Sequence, residues 1–338
     1  MELVREDADR WSYAQPAGVA NPATTVGNPD LYPLLASNYF TQVSRTGQVS
    51  YRADTVAFYG QETLELTPLW KLVIGARHDR FKADYQRAAP QGPLARTDRV
   101  WSTRTGLLFQ PTDFASYYAA VGTSFNPSGE LYSLDERGAN TPPEKNRNIE
   151  IGAKWELADG NLSLRTALFR SEKSNERNTD LAVSVEQNLL SGKRHTDGLE
   201  IEAAGRLTPD WEVFAGAARM RAEIDAATGS QANTLGKIPL NTPGYTASLW
   251  TVYKLSGLWK IGGGVEAVGK RYGNATNSVE VPGYTRVDAM LSYQRQGVQL
   301  KLNVLNLANR RYYEGVYQGH VIPGTARNVQ LTLEYKFF

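Results

Sequence analysis

The 338-residue chain contains no cysteine, which excludes disulfides and thiolate metal sites. Only three histidines occur, at positions 78, 195 and 320, with no metal-ligand spacing between them. No apolar run approaches the roughly 18 residues that a membrane-spanning helix needs. The formal net charge is only +2, so no broad basic patch for nucleic acid is expected. No glycine-rich loop leads into Gly-Lys-Ser/Thr, and the nucleophile-elbow pattern is missing. The opening MELVREDADRW has neither a basic n-region nor an apolar h-region, so no secretory leader is read there. No metal, phosphate-cradling or nucleophile-elbow motif therefore stands out in the primary structure.

What the chain has in quantity is alternation. Val329, Leu331, Leu333, Tyr335 and Phe337 are apolar, with Asn328, Gln330, Thr332, Glu334 and Lys336 between them. Val298, Leu300, Leu302 and Val304 alternate with Gln299, Lys301 and Asn303. Ile149, Ile151, Ala153, Trp155 and Leu157 alternate with Glu150, Gly152, Lys154 and Glu156. Period two is the mark of a strand with one apolar and one wet face. The pattern continues at Leu199, Ile201 and Ala203 against Glu200 and Glu202. It returns at Val287, Ala289, Leu291 and Tyr293 against Arg286, Asp288 and Ser292, with Met290 interrupting the polar face. A dry sandwich core could not hold so many charges unpaired. The charged face needs water or a polar plug, and the apolar face then meets lipid. A mean hydropathy of −0.44 fits, because barrel strands are half polar.

Short turns rich in Pro, Asp, Gly and Asn fall at 66–70, 110–113, 157–161, 207–211, 255–259 and 294–297. Longer polar connections lie at 6–48, 86–99, 126–147, 171–191, 223–241, 272–281 and 314–327. Short and long connections alternate strictly, as periplasmic turns and outer loops do in transmembrane barrels. The reading is an all-β, antiparallel, up-and-down transmembrane barrel portion with essentially no helix. It has thirteen full strands plus a stub at residues 1–5, fourteen in all. Trp70, Trp211 and Trp259 each close a short turn, where an interfacial aromatic girdle belongs. Gly262, Gly263 and Gly264 fall within a strand, which indicates close packing or a kink. Ile149, Ile151, Leu199, Ile201, Leu300, Leu302, Leu331 and Leu333 are expected to face lipid. Glu150, Lys154, Glu200, Glu202, Arg286, Asp288, Lys301 and Glu334 are expected to face inward.

Phrases along nearly the whole chain carry a family resemblance. They are YGQETLELTPLWKLVIGARHDRF from Tyr59, GLLFQPTDFASYYAAVGTSFNPSGE from Gly106, PEKNRNIEIGAKWEL from Pro143, LLSGKRHTDGLEIEAAGRLTPDW from Leu189, PGYTRVDAMLSY from Pro282 and NVLNLANRRYY from Asn303. In these the chain resembles the carboxy-terminal part of TonB-dependent siderophore receptors of the catecholate-type group. The resemblance implies a 22-stranded barrel plugged by an amino-terminal domain. On that reading residues 1–338 are the carboxy-terminal barrel part, with no plug domain and about eight strands fewer than the family's barrel. It also implies the bacterial outer membrane, hence a chain that is either mature or a fragment. The implied ligand is a ferric siderophore, with no cofactor, and the lipid of the outer membrane surrounds the barrel. A TonB complex would be reached only through the missing plug. The barrel assembly machinery would read the terminal aromatic, although Phe338 lies one residue beyond the alternating Phe337.

A ferric siderophore of the catecholate type is large, anionic and aromatic, suiting Arg and Lys for charge and Tyr and Trp for stacking. The loops and rims offer Trp11, Tyr13, Tyr32, Tyr39 and Lys193, and above all Arg194, Arg271, Tyr272, Tyr313, Tyr317 and His320. Tyr and Arg also decorate outer loops generally, so both readings stand for each residue. Three other functions remain open from the sequence: a passive pore of about fourteen strands, a receptor of the same family for another nutrient such as cobalamin, and a rim-site hydrolase. Only His195 near Ser191 offers the last any local pairing, and the expectation is of no enzyme.

Overall fold

The computed structural model describes residues 1–14, 44–87, 92–127, 142–176, 192–227, 229–317 and 320–336. Strands dominate it. They are β1 (Glu2–Ala14), β2 (Ser44–Thr67), β3 (Trp70–Arg87), β4 (Leu94–Thr112), β5 (Ala115–Asn126), β6 (Glu144–Leu157), β7 (Leu162–Glu176), β8 (Gly192–Thr208) and β9 (Trp211–Ala226). There follow β10 (Tyr245–Lys254), β11 (Trp259–Val268), β12 (Arg271–Tyr272), β13 (Glu280–Val281), β14 (Tyr284–Arg295), β15 (Val298–Leu305), β16 (Tyr313–Tyr317), β17 (His320–Pro323) and β18 (Asn328–Tyr335). Fourteen of them form one sheet in chain order, β1 through β11 and then β14, β15 and β18. The sheet is antiparallel, and β12–β13 and β16–β17 are separate two-stranded hairpins.

The strand number and the short turns agree with the sequence, while the strand ends do not. The first strand is no stub: β1 runs to Ala14, and β2 begins at Ser44, inside the expected 6–48 connection. The reason is electrostatic. Arg5 binds Asp54 and Arg52 binds Asp7, each at 2.7 Å, and Ser50 donates to Asp9 at 2.6 Å. A ladder of opposite charges across the register gives strand pairing without apolar alternation. Strands β3, β6, β7 and β9 likewise run beyond the apolar zone into polar sequence. The connections at 272–281 and 314–327 carry the two small hairpins, and residues 229–234 form a short 3-10 helix.

The contacts cluster into two compact units. One comprises Met1–Tyr59, Arg77–Trp101 and Asn126–Pro143; the other comprises Gly60–Ala76, Ser102–Phe125 and Glu144–Phe338. The first holds a small core of Tyr51, Ala53, Phe81, Ala83 and Tyr85, with Ala8, Val49 and Leu94 against it. Tyr51 and Tyr85 meet edge-on at 4.9 Å.

In the second unit the two faces are as expected. Ile151, Leu168 and Leu199 stand side by side across β6–β8 and are all exposed. Leu331 is 71% exposed, as only an apolar solvent permits for so many neighbours at once. The opposite face carries the charges. Arg286 reaches Glu266 at 2.9 Å, Asp288 at 3.1 Å and the Tyr312 hydroxyl at 3.2 Å. Trp70, Trp211 and Trp259 are exposed at the short turns, and each meets a second ring: Phe109, Tyr253 and Tyr293 respectively. The expected close packing at the triple glycine also holds, since a Cβ on Gly264 would lie 2.4 Å from the Trp250 ring.

Candidate functional site

The end of the second unit away from the short turns carries a polar cleft of about 630 Å³. Its floor is the polar face of β4–β8, where Arg104, Asn146, Asn148, Lys173 and Arg194 line it. Its far side is Pro239 and Thr242, from the β9–β10 connection. That connection is turned back by its own backbone. Gly236 N–H donates to Ile224 O, and Ile224 N–H donates to Lys237 O, both at 2.9 Å. The Asn277 side chain then clasps Ile238, donating to its carbonyl and accepting from its N–H, each at 2.8 Å.

Charge in the cleft is unevenly compensated. Lys173 meets Glu144 at 3.0 Å and Glu176 at 3.6 Å, and Arg194 meets Glu176 at 2.9 Å. Asn148 accepts from Ser171 at 2.7 Å. Arg104 is different: it is exposed, and among the described residues its side chain has no hydrogen-bond or ion-pair partner. Its stem lies against Gly75, where a Cβ would come within 3.0 Å of Arg104 Cγ. A guanidinium with no partner beside amide and hydroxyl groups can accept an anionic, oxygen-rich ligand by bidentate bonding.

The sequence-derived site residues separate into two groups. Arg194 lines the cleft. Arg271, Tyr272 and Tyr313 come together instead at the two small hairpins. Arg271 is 3% exposed. It donates to the carbonyls of Tyr313 at 2.6 Å and Glu314 at 2.5 Å, and weakly to Asn241 Oδ1 at 3.4 Å. Its Nε is buried with no partner among the described residues. The Tyr272 carbonyl accepts from Asn241 N–H at 3.0 Å. Lys270, over the Tyr272 ring, is held above the usual lysine range by its hydrogen bond to Glu280. Tyr317 pairs with His320 through the backbone at the tip of the β16–β17 hairpin, where His320 is exposed. Asn241 touches Arg271 while its neighbours Pro239 and Thr242 line the cleft, so the β9–β10 connection joins the two groups.

Tyr32, Tyr39, Ser191 and the terminal Phe337 and Phe338 lie outside the described residues. His195 binds Asp225 at 2.6 Å and lies 3.5 Å from Asp197. Arg104 and Lys173 escaped the sequence reading. Arg104 sits at a polar-face position of WSTRTGLLF, so strand alternation was the available signal; Lys173 had been assigned to the 171–191 connection.

Residues 5–307 match the family described as TonB dependent receptor-like, beta-barrel. The chain belongs to this family. It is a β-barrel chain of the bacterial outer membrane. It is 29% identical, over 98% of its length, to the probable TonB-dependent receptor BfrD of Bordetella pertussis, covering 48% of that protein. It is 30% identical, over 84% of its length, to the probable TonB-dependent siderophore receptor PiuA of Acinetobacter baumannii, covering 41%. Among solved structures, the ferric-catecholate import receptor Fiu of Escherichia coli K12 superposes with a TM-score of 0.82 at 25% identity, over 99% of this chain and 51% of that one. The chain thus spans about half the length of the relatives it matches.

Proposed function

We propose that this TonB-dependent receptor chain forms part of the ligand-receiving wall of a ferric-siderophore importer. The observation that carries the reading is the polar cleft whose lining includes Lys173, Arg194 and the exposed Arg104, the last without a side-chain partner among the described residues. An anionic chelate would displace Glu176 from Arg194 and take Arg104 directly. The chain's likeness to PiuA, a probable siderophore receptor, and to Fiu, a ferric-catecholate import receptor, supports that ligand class. On this reading the protein transports rather than transforms its ligand and needs no resident cofactor. A TonB-type complex supplies the energy, and the assembly machinery inserts the barrel.

The test is growth of a receptor-deficient strain, carrying the intact receptor, on a panel of ferric siderophores under iron limitation. Rescue by one chelate is expected. Arg104→Ala or Arg194→Ala should then weaken its binding by about 1–3 kcal/mol. Rescue only by cobalamin or an oligosaccharide would retire the siderophore reading and keep the family. Unselective conductance in a planar bilayer, without chelate rescue, would replace it with a pore.

A further inference from the structure

The first unit carries two arginines that its ion pairs leave out. His78 on β3 lies against Trp101 on β4, ring centroids 4.9 Å apart. Gly75 against Arg104 and Leu69 against Gln110 have the same antiparallel offset on these adjacent strands. That register sets Arg80 directly opposite Arg99. Both are exposed, and among the described residues neither side chain has a hydrogen-bond or ion-pair partner. The contrast with the neighbourhood is sharp: Arg5, Arg52 and Lys82 each hold an aspartate at 2.7 Å. Like charges directly opposite on a sheet repel. Such a pair is a poor choice for stability and a good one for an anion.

The position names the anion. On β3 the exposed face passes from Leu72 and Ile74 to His78 and then Arg80. On β4 it passes from Leu107 to Trp101, which is 66% exposed, and then Arg99. An exposed Trp at the end of an apolar band lies at headgroup level. The next outward step therefore meets headgroup phosphates. It lies at the loop end of the strands, which faces the outer leaflet.

We propose that Arg80 and Arg99 together bind a phosphate of a phosphorylated lipid headgroup in the outer leaflet, with Trp101 and His78 packed against the lipid below it. Two guanidinium groups offer paired donors to one phosphate, and the phosphate removes their mutual repulsion.

The experiment is lipid retention by the protein purified from outer membranes in detergent, read by native mass spectrometry. The probes are a bisphosphorylated glycolipid (lipid A), the same glycolipid after dephosphorylation, and inorganic phosphate as competitor. Wild type should retain the phosphorylated glycolipid and not the dephosphorylated one. Arg80→Gln with Arg99→Gln should lower retention about tenfold, and Arg80→Lys with Arg99→Lys by less, because charge survives while the paired geometry does not. Lys254→Gln, beside the 255–259 turn, should leave retention unchanged. Thermal unfolding without lipid should be unchanged or slightly raised in the double Gln variant, as repulsion is relieved. Equal retention by wild type and the double Gln variant would overturn the proposal. So would equal retention of the dephosphorylated glycolipid. Displacement by millimolar inorganic phosphate would overturn the lipid assignment in favour of a free anion.

Discussion

Glycine positions opposite aromatic rings fix much of the local geometry. Phe169 stands across from Gly198, and a Cβ there would lie 2.3 Å from the ring. Tyr118 lies in the same way over Gly152, and its hydroxyl donates to Glu150. The ring fills the space a side chain would take, and the strand loses no packing. Gly198→Ala is therefore expected to cost about 1–3 kcal/mol by overpacking, measured by denaturant unfolding in lipid vesicles. Arg271 is the second decisive residue. Arg271→Ala would leave the Tyr313 and Glu314 carbonyls without their donor, a loss of about 2–3 kcal/mol within the hairpin. Hydrogen exchange over residues 313–323 should rise, and Arg271→Lys should not restore it, because a single ammonium cannot reproduce the guanidinium fork. A fall in ligand affinity with unchanged exchange would instead make Arg271 a direct ligand contact.

Strands here serve two media. Across β6–β8 the row Ile151, Leu168 and Leu199 belongs to lipid, so Leu199→Arg should cost about 2–4 kcal/mol near the bilayer midplane. Refolding into vesicles under a urea gradient measures this, and a cost near zero would put that row outside the membrane. The β1–β2 ladder belongs to water. Asp54, hydrogen-bonded by Arg5, has its carboxyl held below the usual aspartate range. A depressed folded pKa stabilises above the unfolded value and is lost as pH falls through the folded one. Amide-exchange protection in β1, relative to the intrinsic rate at each pH, should therefore fall below about pH 4, modestly, because both partners are exposed.

In the molecule as a unit, exposed apolar surface is the governing feature. Every residue of β18 is exposed, including Val329, Leu331, Leu333 and Tyr335. Contiguous apolar surface of this kind aggregates in water. The chain is expected to scatter light when diluted from denaturant into buffer and to gain strand-type circular dichroism only with detergent or lipid. A monodisperse, folded chain in plain buffer would contradict the two-media reading.

Alternation and turn chemistry were enough to determine fourteen strands, six short turns, the lipid face of β6, β8, β14, β15 and β18, and the Trp girdle. These depend on local geometry, in which period two and Pro/Gly/Asp/Asn turns act within a few residues. The phrases of the family resemblance added the family itself, and NVLNLANRRYY has a structural purpose: Asn306, 1% exposed with φ of 51°, bonds Arg310 and Thr325 to close its turn. Strand ends were not legible, because the Arg5–Asp54 and Arg52–Asp7 pairs join residues 45 or more apart in sequence. Nor was the site. Only the folded sheet brings Arg104, Lys173 and Arg194 to one cleft, buries Arg271 under a hairpin, and leaves Arg80 facing Arg99. Register and long-range packing decide which charges find partners, and sequence order alone does not carry that information.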